Sequence, residues 1–222
     1  SDVHLVETSD HKKNLEKLGI KKNLYIVGSP SLEKIKLEIN NFSSVIKKFC
    51  LNINKHKKII LCTFHPETTS SLSQNLKYLS VLLNFLLSLN QNIIWTYPNA
   101  DSGFQNYINL IKKKTKNKTY FNLIKNLGKK NYFSILEQSD LMIGNSSSGI
   151  IEASIMNIKC LNVGDRQKGR IFSNQTVTVK NNILDITKGI KEINKINKKK
   201  FKNIYFKKNG LKIFKNQVNK IK

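Results

Sequence analysis

Short runs rich in Ile, Leu, Val and Thr alternate with longer amphipathic segments along most of this chain, and that alternation limits the fold more than any other feature. A strand followed by a covering helix before the next strand builds a parallel sheet. The spacing therefore predicts an α/β, doubly wound architecture. Strands are expected at 4–6, 24–27, 58–64, 93–97, 120–124, 141–143, 160–163 and 176–179. Helices are expected at 10–18, 72–89, 104–113, 132–138, 150–156 and 183–196, with a charged helical connector from Leu32 to about Phe49. The turn Gly28-Ser29-Pro30 marks a boundary. The domains read as 1–30, the end of a preceding domain; 31–50, a connector; 51–200, the main domain; and 201–222, a basic tail with helical spacing at Leu211, Phe214 and Val218.

At 222 residues the chain is long enough for one α/β domain with an ample core. It opens on Ser1, with no charged and apolar leader, so a truncated start and a cytoplasmic protein are expected. The longest apolar stretch, 78–89, is broken by Ser80, Asn84 and Ser88 and falls short of the roughly 20 residues that span a bilayer. No membrane partner is expected. Cys50, Cys62 and Cys160 form no CxxC pair and read as reduced thiols. His4, His11, His56 and His65 lack metal-ligand spacing, so no metal or other cofactor is expected.

The net charge of +25 raises nucleic acid as a partner. The charge is nearly all lysine spread along the chain, without a basic motif or element of the kind nucleic-acid binders carry, which favours a solvated lysine-rich surface. Only two of the 39 basic residues are arginine, Arg166 and Arg170, and both fall in one glycine-flanked loop. Guanidinium retained in a chain that otherwise uses lysine points to planar, bidentate recognition of an anion.

In an open α/β sheet, ligands bind at the carboxyl ends of the strands, where the polar loops of this chain lie. Gly144-Asn145-Ser146-Ser147-Ser148-Gly149 runs from a strand into an expected helix and offers backbone N–H groups, hydroxyls and a positive dipole end. It lacks the Gly-Lys-Ser/Thr of a triphosphate loop, so a diphosphate is the expected anion. The same serines also serve as ordinary N-caps. Glu152, one turn on, is placed to accept from ribose hydroxyls, or simply to offset the helix dipole. Arg166 reads as a diphosphate clamp and Arg170 as its support; the alternative is a pair of loop cations bridging to Asp165. His65, at a strand end before Pro66-Glu67-Thr68-Thr69, reads as a phosphate-side donor or cation, and Asn99 as a nucleotide contact or plain turn chemistry.

Four loops in this order, His65 to Thr69, Tyr97 to Gly103, Gly144 to Ala153 and Gly164 to Arg170, resemble those of the UDP-hydrolysing UDP-N-acetylglucosamine 2-epimerases. The resemblance covers nearly the whole chain and implies the C-terminal, Rossmann-like domain of a GT-B-like two-domain enzyme, with substrate between the domains. It implies that His65 meets the phosphates, Asn99 helps hold the nucleotide, Ser146, Ser147, Ser148 and Gly149 cradle the diphosphate, Glu152 takes the ribose and Arg166 the diphosphate. The 128–131 segment would lie by the uracil, although Lys129 stands where an aromatic or apolar residue is expected. The family reaction eliminates UDP to give a 2-acetamidoglucal and adds water to give N-acetylmannosamine, for sialic-acid-like sugars. Its acid and base belong to the first domain, so the expectation is a UDP-binding portion that is inactive alone. UDP-N-acetylglucosamine or UDP is the expected partner, and a homo-oligomer is compatible with the sequence. Competing readings are an epimerase or glycosyltransferase for a GDP-sugar, and a basic nucleic-acid-binding protein.

Overall fold

A computed structural model describes residues 2–33, 35, 39–100, 103–197 and 201–220. Asp101 and Ser102 of the Tyr97 to Gly103 loop, and parts of the expected connector and tail, lie outside the described residues. The chain divides into two compact units, Ser1–Glu38 with Lys202–Lys222, and Ile39–Phe201.

The first unit holds β1 (His4–Val6), α1 (Ser9–Lys17), β2 (Leu24–Ile26), a 3-10 turn at Pro30–Leu32 and a C-terminal helix, Gly210–Asn219. β1 and β2 pair in parallel. Thr8 caps α1 by accepting the N–H of His11 at 3.1 Å. The segment at 202–220 joins this unit through Ser29 N–H to the Tyr205 carbonyl at 2.7 Å, and Leu211 N–H to Glu33 Oε2 at 2.6 Å.

The second unit contains α2 (Phe42–Lys48), β3 (Ile59–Thr63), α3 (Leu72–Ser88), β4 (Asn92–Thr96), α4 (Phe104–Thr115), β5 (Phe121–Ile124), α5 (Lys129–Glu137), β6 (Leu141–Gly144), α6 (Glu152–Ile155), β7 (Lys159–Val163), β8 (Thr176–Val179) and α7 (Ile183–Lys195). The C-terminal helix of the first unit is thus α8. Strands β3 to β8 form one six-stranded sheet in the order β5-β4-β3-β6-β7-β8, every pair parallel. This is a doubly wound, parallel α/β sheet. The chain winds outward through β4 and β5, then returns to the other side of β3 with β6, so the topological switch lies between β3 and β6.

Central β3 and β4 are covered on both faces, which explains their nearly continuous apolar runs; edge strand β8 alternates instead. The core on one face is made by α3, whose Leu79, Leu82, Leu83 and Leu86 recur at helical spacing and are fully buried, with Trp95 and Phe121 beneath. Burial of each such side chain stabilises by about 1.5–3 kcal/mol. Among the described residues no helix is long and apolar enough to cross a membrane.

Three expected elements differ. Among the described residues the connector is not one long helix: a 3-10 turn ends at Leu32, residues 39–41 are not helical, and α2 begins at Phe42, where Asn41 turns its carboxamide onto the N–H of Ser44 and starts the helix. α2 lies within the second compact unit. The helix expected at 132–138 begins earlier, at Lys129, with Gly128 as its cap. The helix expected at 150–156 is a 3-10 turn, Ser147–Gly149, followed by only four α-helical residues, ended by Asn157 in the left-handed region.

Candidate functional site

At the switch point, the carboxyl ends of β3 and β6 deliver two loops against each other. Gly144 carries φ +146, and a Cβ there would collide with the carbonyl of Thr63, so only glycine lets β6 turn so close to β3. The next residue, Asn145, is fully buried and fastens the loops. Its Oδ1 accepts the N–H of His65 at 2.7 Å and its Nδ2 donates to the His65 carbonyl at 2.9 Å. Its own carbonyl accepts Gln167 Nε2 at 2.8 Å and Arg166 Nη1 at 3.2 Å. One carboxamide and one carbonyl therefore tie together the loops after β3, β6 and β7.

The His65 ring is 5% exposed and its Nδ1 accepts the backbone N–H of Asn99 at 3.0 Å. An accepting Nδ1 in a neutral ring leaves the proton on Nε2, so the ring is a hydrogen-bond donor at its other nitrogen. The loop behind it is held by Asn75, which accepts the N–H of Glu67 at 2.9 Å and donates to the carbonyls of Glu67 and Ser70.

His65, Asn99, Ser146, Ser148 and Glu152 line one cleft of about 480 Å³. Its wall from β3 and β4 carries Thr63 and Thr96, whose hydroxyls meet at 2.5 Å. Its far end is Lys125, Asn126, Leu127, Gly128 and Lys129. The Lys129 ammonium stands 5.9 Å from the centre of the Phe133 ring, another lining residue. Tyr132 reaches in from α5 and donates its phenolic O–H to Ser148 Oγ at 2.7 Å. Burial pushes this phenol well above its ordinary range. Among the described residues the cleft thus gathers hydroxyls, an imidazole N–H, two lysines and one carboxylate, a set suited to a polar, anionic ligand with hydroxyl groups.

Ser147, Gly149, Arg166 and Arg170 are not among the residues lining this cleft. Arg166 is partly buried, against the Asn145 carbonyl, while Arg170 is exposed. Gly149 is buried, and a Cβ there would strike Cys160 Sγ; its glycine is accounted for by packing against β7. The dipole expected behind the serines is also weak, since four residues of α6 align too few peptides. The polar character of this loop comes instead from hydroxyls. Ser146 caps the 3-10 turn by accepting the N–H of Ser148 at 3.3 Å.

Tyr132, Thr63 and Thr96 carry no expected role from sequence alone. Asn145 lies in the expected anion cradle, but its bridging role depends on a partner 80 positions away. For Tyr132 a signal existed: it lies four residues after Gly128, on the same side of a helix that starts at a strand's carboxyl end. Among the described residues no group of three or more His, Cys, Asp or Glu side chains is placed to hold a metal ion.

Residues 1–214 match the family model described as UDP-N-acetylglucosamine 2-epimerase. The chain is 34% identical over 194 residues to a GDP/UDP-N,N'-diacetylbacillosamine 2-epimerase (hydrolyzing) of Campylobacter jejuni, covering 83% of this chain and 48% of that protein. It is 32% identical over 206 residues to a UDP-N,N'-diacetylbacillosamine 2-epimerase (hydrolyzing) of Legionella pneumophila, covering 92% and 54%. The chain spans about half the length of these curated relatives. The crystal structure of UDP-GlcNAc 2-epimerase from Neisseria meningitidis bound to UDP-GlcNAc shares its fold, with TM-score 0.79 and 16% identity over 99% of this chain and 62% of that one. With that fold, and with a family match running through every loop of the cleft, the chain belongs to the UDP-N-acetylglucosamine 2-epimerase family.

Proposed function

We propose that these residues form the nucleotide-binding portion of a hydrolysing 2-epimerase that takes a UDP-linked 2-acetamido sugar. The observation that carries this reading is the convergence of His65, Asn99, Ser146, Ser148 and Glu152 on one polar cleft at the topological switch of a parallel sheet. In this reading Ser146 and Ser148 donate to the diphosphate, with Ser147 at the same turn. His65 gives its Nε2 proton to a phosphate oxygen. Glu152 accepts from the ribose hydroxyls, and the base lies along 126–129. Arg166 reaches the diphosphate from its anchor on Asn145, with Arg170 in support from the same loop. These groups stabilise a departing diphosphate and orient it.

Elimination also needs a base for the ring proton at C2, and hydration needs a proton returned there. Among the described residues Glu152 is the one carboxylate lining the cleft, and this reading uses it on the ribose. Residues 1–222 alone are therefore expected to bind nucleotide without turnover of UDP-N-acetylglucosamine, since positioned acid and base groups each contribute about 10²–10⁴ in rate. Relatives of similar identity are named for diacetylbacillosamine and, in Escherichia coli, as polysialic acid biosynthesis protein P7, which supports a role in acidic amino-sugar synthesis.

Calorimetric titration with UDP, GDP and single-stranded DNA at moderate salt tests the proposal. UDP is expected to bind more tightly than GDP. Equal or tighter GDP binding would reassign the donor, an outcome that the Campylobacter relative's name makes specific. Tight, steeply salt-dependent DNA binding with none for either nucleotide would replace the enzyme reading altogether.

A further inference from the structure

The two cleft-lining serine hydroxyls each receive a hydrogen bond from the protein. Ser146 Oγ accepts the backbone N–H of Ser148 at 3.3 Å, and Ser148 Oγ accepts the O–H of Tyr132 at 2.7 Å. A hydroxyl has one proton to give and two lone pairs to fill. When a lone pair is filled from the protein side, the proton becomes the group's offer to whatever lies in the cleft. Ser146 is set this way by the main chain of its own turn. Ser148 is set by a side chain from another element.

We propose that Tyr132 is a positioning residue for the diphosphate subsite: its donated O–H holds the Ser148 hydroxyl with its proton turned toward the cleft, where an anionic phosphate oxygen accepts it. This inference rests on the nucleotide-sugar reading above and names a device inside that site. Tyr132, Ser148, Ser146, His65 and Glu152 all line the same cleft. Tyr132 is placed firmly. Its N–H closes the first turn of α5 on the Gly128 carbonyl at 2.9 Å. Its neighbour Asn131, itself buried, donates to the Leu127 carbonyl at 2.6 Å and accepts Asn40 Nδ2 at 2.6 Å.

The phenol stays protonated because burial disfavours the phenolate, and the nearby Glu152 carboxylate adds to that effect. It therefore remains a donor throughout the neutral range. Met142 Sδ at 3.8 Å is a weak acceptor and does not compete with an oxygen, and the Thr63 hydroxyl, which also interacts with the phenol, is engaged with Thr96 Oγ1 at 2.5 Å. Packing needs only the ring, which meets Phe133 edge-on at 5.9 Å. A phenylalanine would fill the same space, so the hydroxyl is explained by its polar partners, among which Ser148 at 2.7 Å lies nearer than Met142 at 3.8 Å. Donors in a chain also polarise one another, which strengthens the final bond to an anion.

A double-mutant cycle separates this role from packing. Tyr132→Phe, Ser148→Ala and the pair are titrated with UDP and with inorganic pyrophosphate, and each variant's thermal unfolding is compared with the parent's. Ser148→Ala is expected to weaken both ligands by roughly 10-fold or more, the scale of one hydrogen bond to a charged group. Tyr132→Phe should weaken both by about 3- to 10-fold on the same scale, with an unfolding temperature close to the parent's. The pair should be no weaker than Ser148→Ala alone. Losses that multiply in the pair, or pyrophosphate binding unchanged by Tyr132→Phe, would overturn the inference while leaving UDP binding by the parent intact. If the parent binds neither UDP nor pyrophosphate, the nucleotide reading itself fails and takes this inference with it.

Discussion

His65 Nδ1 accepts the backbone N–H of Asn99 at 3.0 Å, and this one contact decides what the imidazole can offer a ligand. A protonated ring would place two donors against each other across that distance, so the bond selects the neutral ring with its proton on Nε2. Nitrogen-15 NMR of the free protein at neutral pH is expected to show the Nε2–H tautomer for His65. His65→Ala should weaken UDP by about 10-fold, as for loss of a donor to a charged oxygen, while a ring protonated on Nδ1 at neutral pH would contradict the arrangement.

Asn145 gives the next expectation. Replacing it with Ala leaves the N–H and carbonyl of His65 without their side-chain partners in a buried place. Each such orphaned group costs about 1–3 kcal/mol, so Asn145→Ala should lower stability by about 2–4 kcal/mol in urea unfolding. A change below 0.5 kcal/mol would mean that water replaces the carboxamide without loss.

These two relationships also show what was legible in the sequence. The parallel sheet was, because Ile59–Thr63, Asn92–Thr96 and Lys159–Val163 are apolar runs bounded by turn residues, and burial on both faces requires that pattern. Which loops carry the chemistry was also legible, since polar loops at strand ends are where such sheets bind ligands. The hydroxyl-set serines were not. Tyr132 and Ser148 are 16 positions apart, and their pairing depends on where α5 begins, a boundary that the Gly128 cap moved three residues earlier than periodicity suggested. Nor was the shortness of α6, which is followed by Asn157 in the left-handed region. The 150–156 segment is apolar enough to read as a helix, and a preceding 3-10 turn leaves little mark in local pattern.

The three cysteines divide sharply. Cys50 is exposed, whereas Cys62 and Cys160 are buried, and burial alone pushes the Cys160 thiol up to about 12 and raises Cys62 well above the ordinary value. A thiol-specific reagent at pH 8 should therefore label Cys50 quickly and the other two only on unfolding. The shifts also carry a pH dependence. Their stabilisation is present in full below the ordinary thiol value of 9.0 and is lost as pH rises from there toward about 12, because the unfolded chain gives up these protons first. Cys160→Ala and Cys62→Ala should flatten that alkaline decline; rapid labelling of all three thiols in the folded protein would contradict the burial.

In the proposed reading Arg166 approaches the diphosphate from an anchor outside the cleft lining. Its Nη1 is spent on the Asn145 carbonyl at 3.2 Å, and a guanidinium held there still has further N–H donors for an anion. Lysine has one nitrogen and cannot serve both partners with the same planarity. Arg166→Lys is expected to weaken UDP by about 10-fold, and the exposed Lys116→Ala by less than 2-fold, since an isolated surface cation acts through a screened field. Equal losses at the two positions would assign Arg166 to general electrostatics.

Glu152 provides the last test, because its two assignments differ in what they predict. It is the first residue of α6, where a carboxylate is favoured by the helix start, yet this helix has only four residues and rewards such a charge little. It is partly buried and lines the cleft beside Ser146, Ser148 and Tyr132, close enough to act on the Tyr132 phenol. A carboxylate so placed accepts from two vicinal hydroxyls, but it repels a phosphate. Glu152→Gln keeps the shape and removes the charge. If Glu152 holds the ribose, UDP affinity should fall by about 10-fold, the scale of a hydrogen bond to a charged group, while inorganic pyrophosphate should bind as well as before or better. Parallel losses for both ligands would point to damage in the 146–155 turn, and a gain for both would mean that the carboxylate faces the phosphates instead.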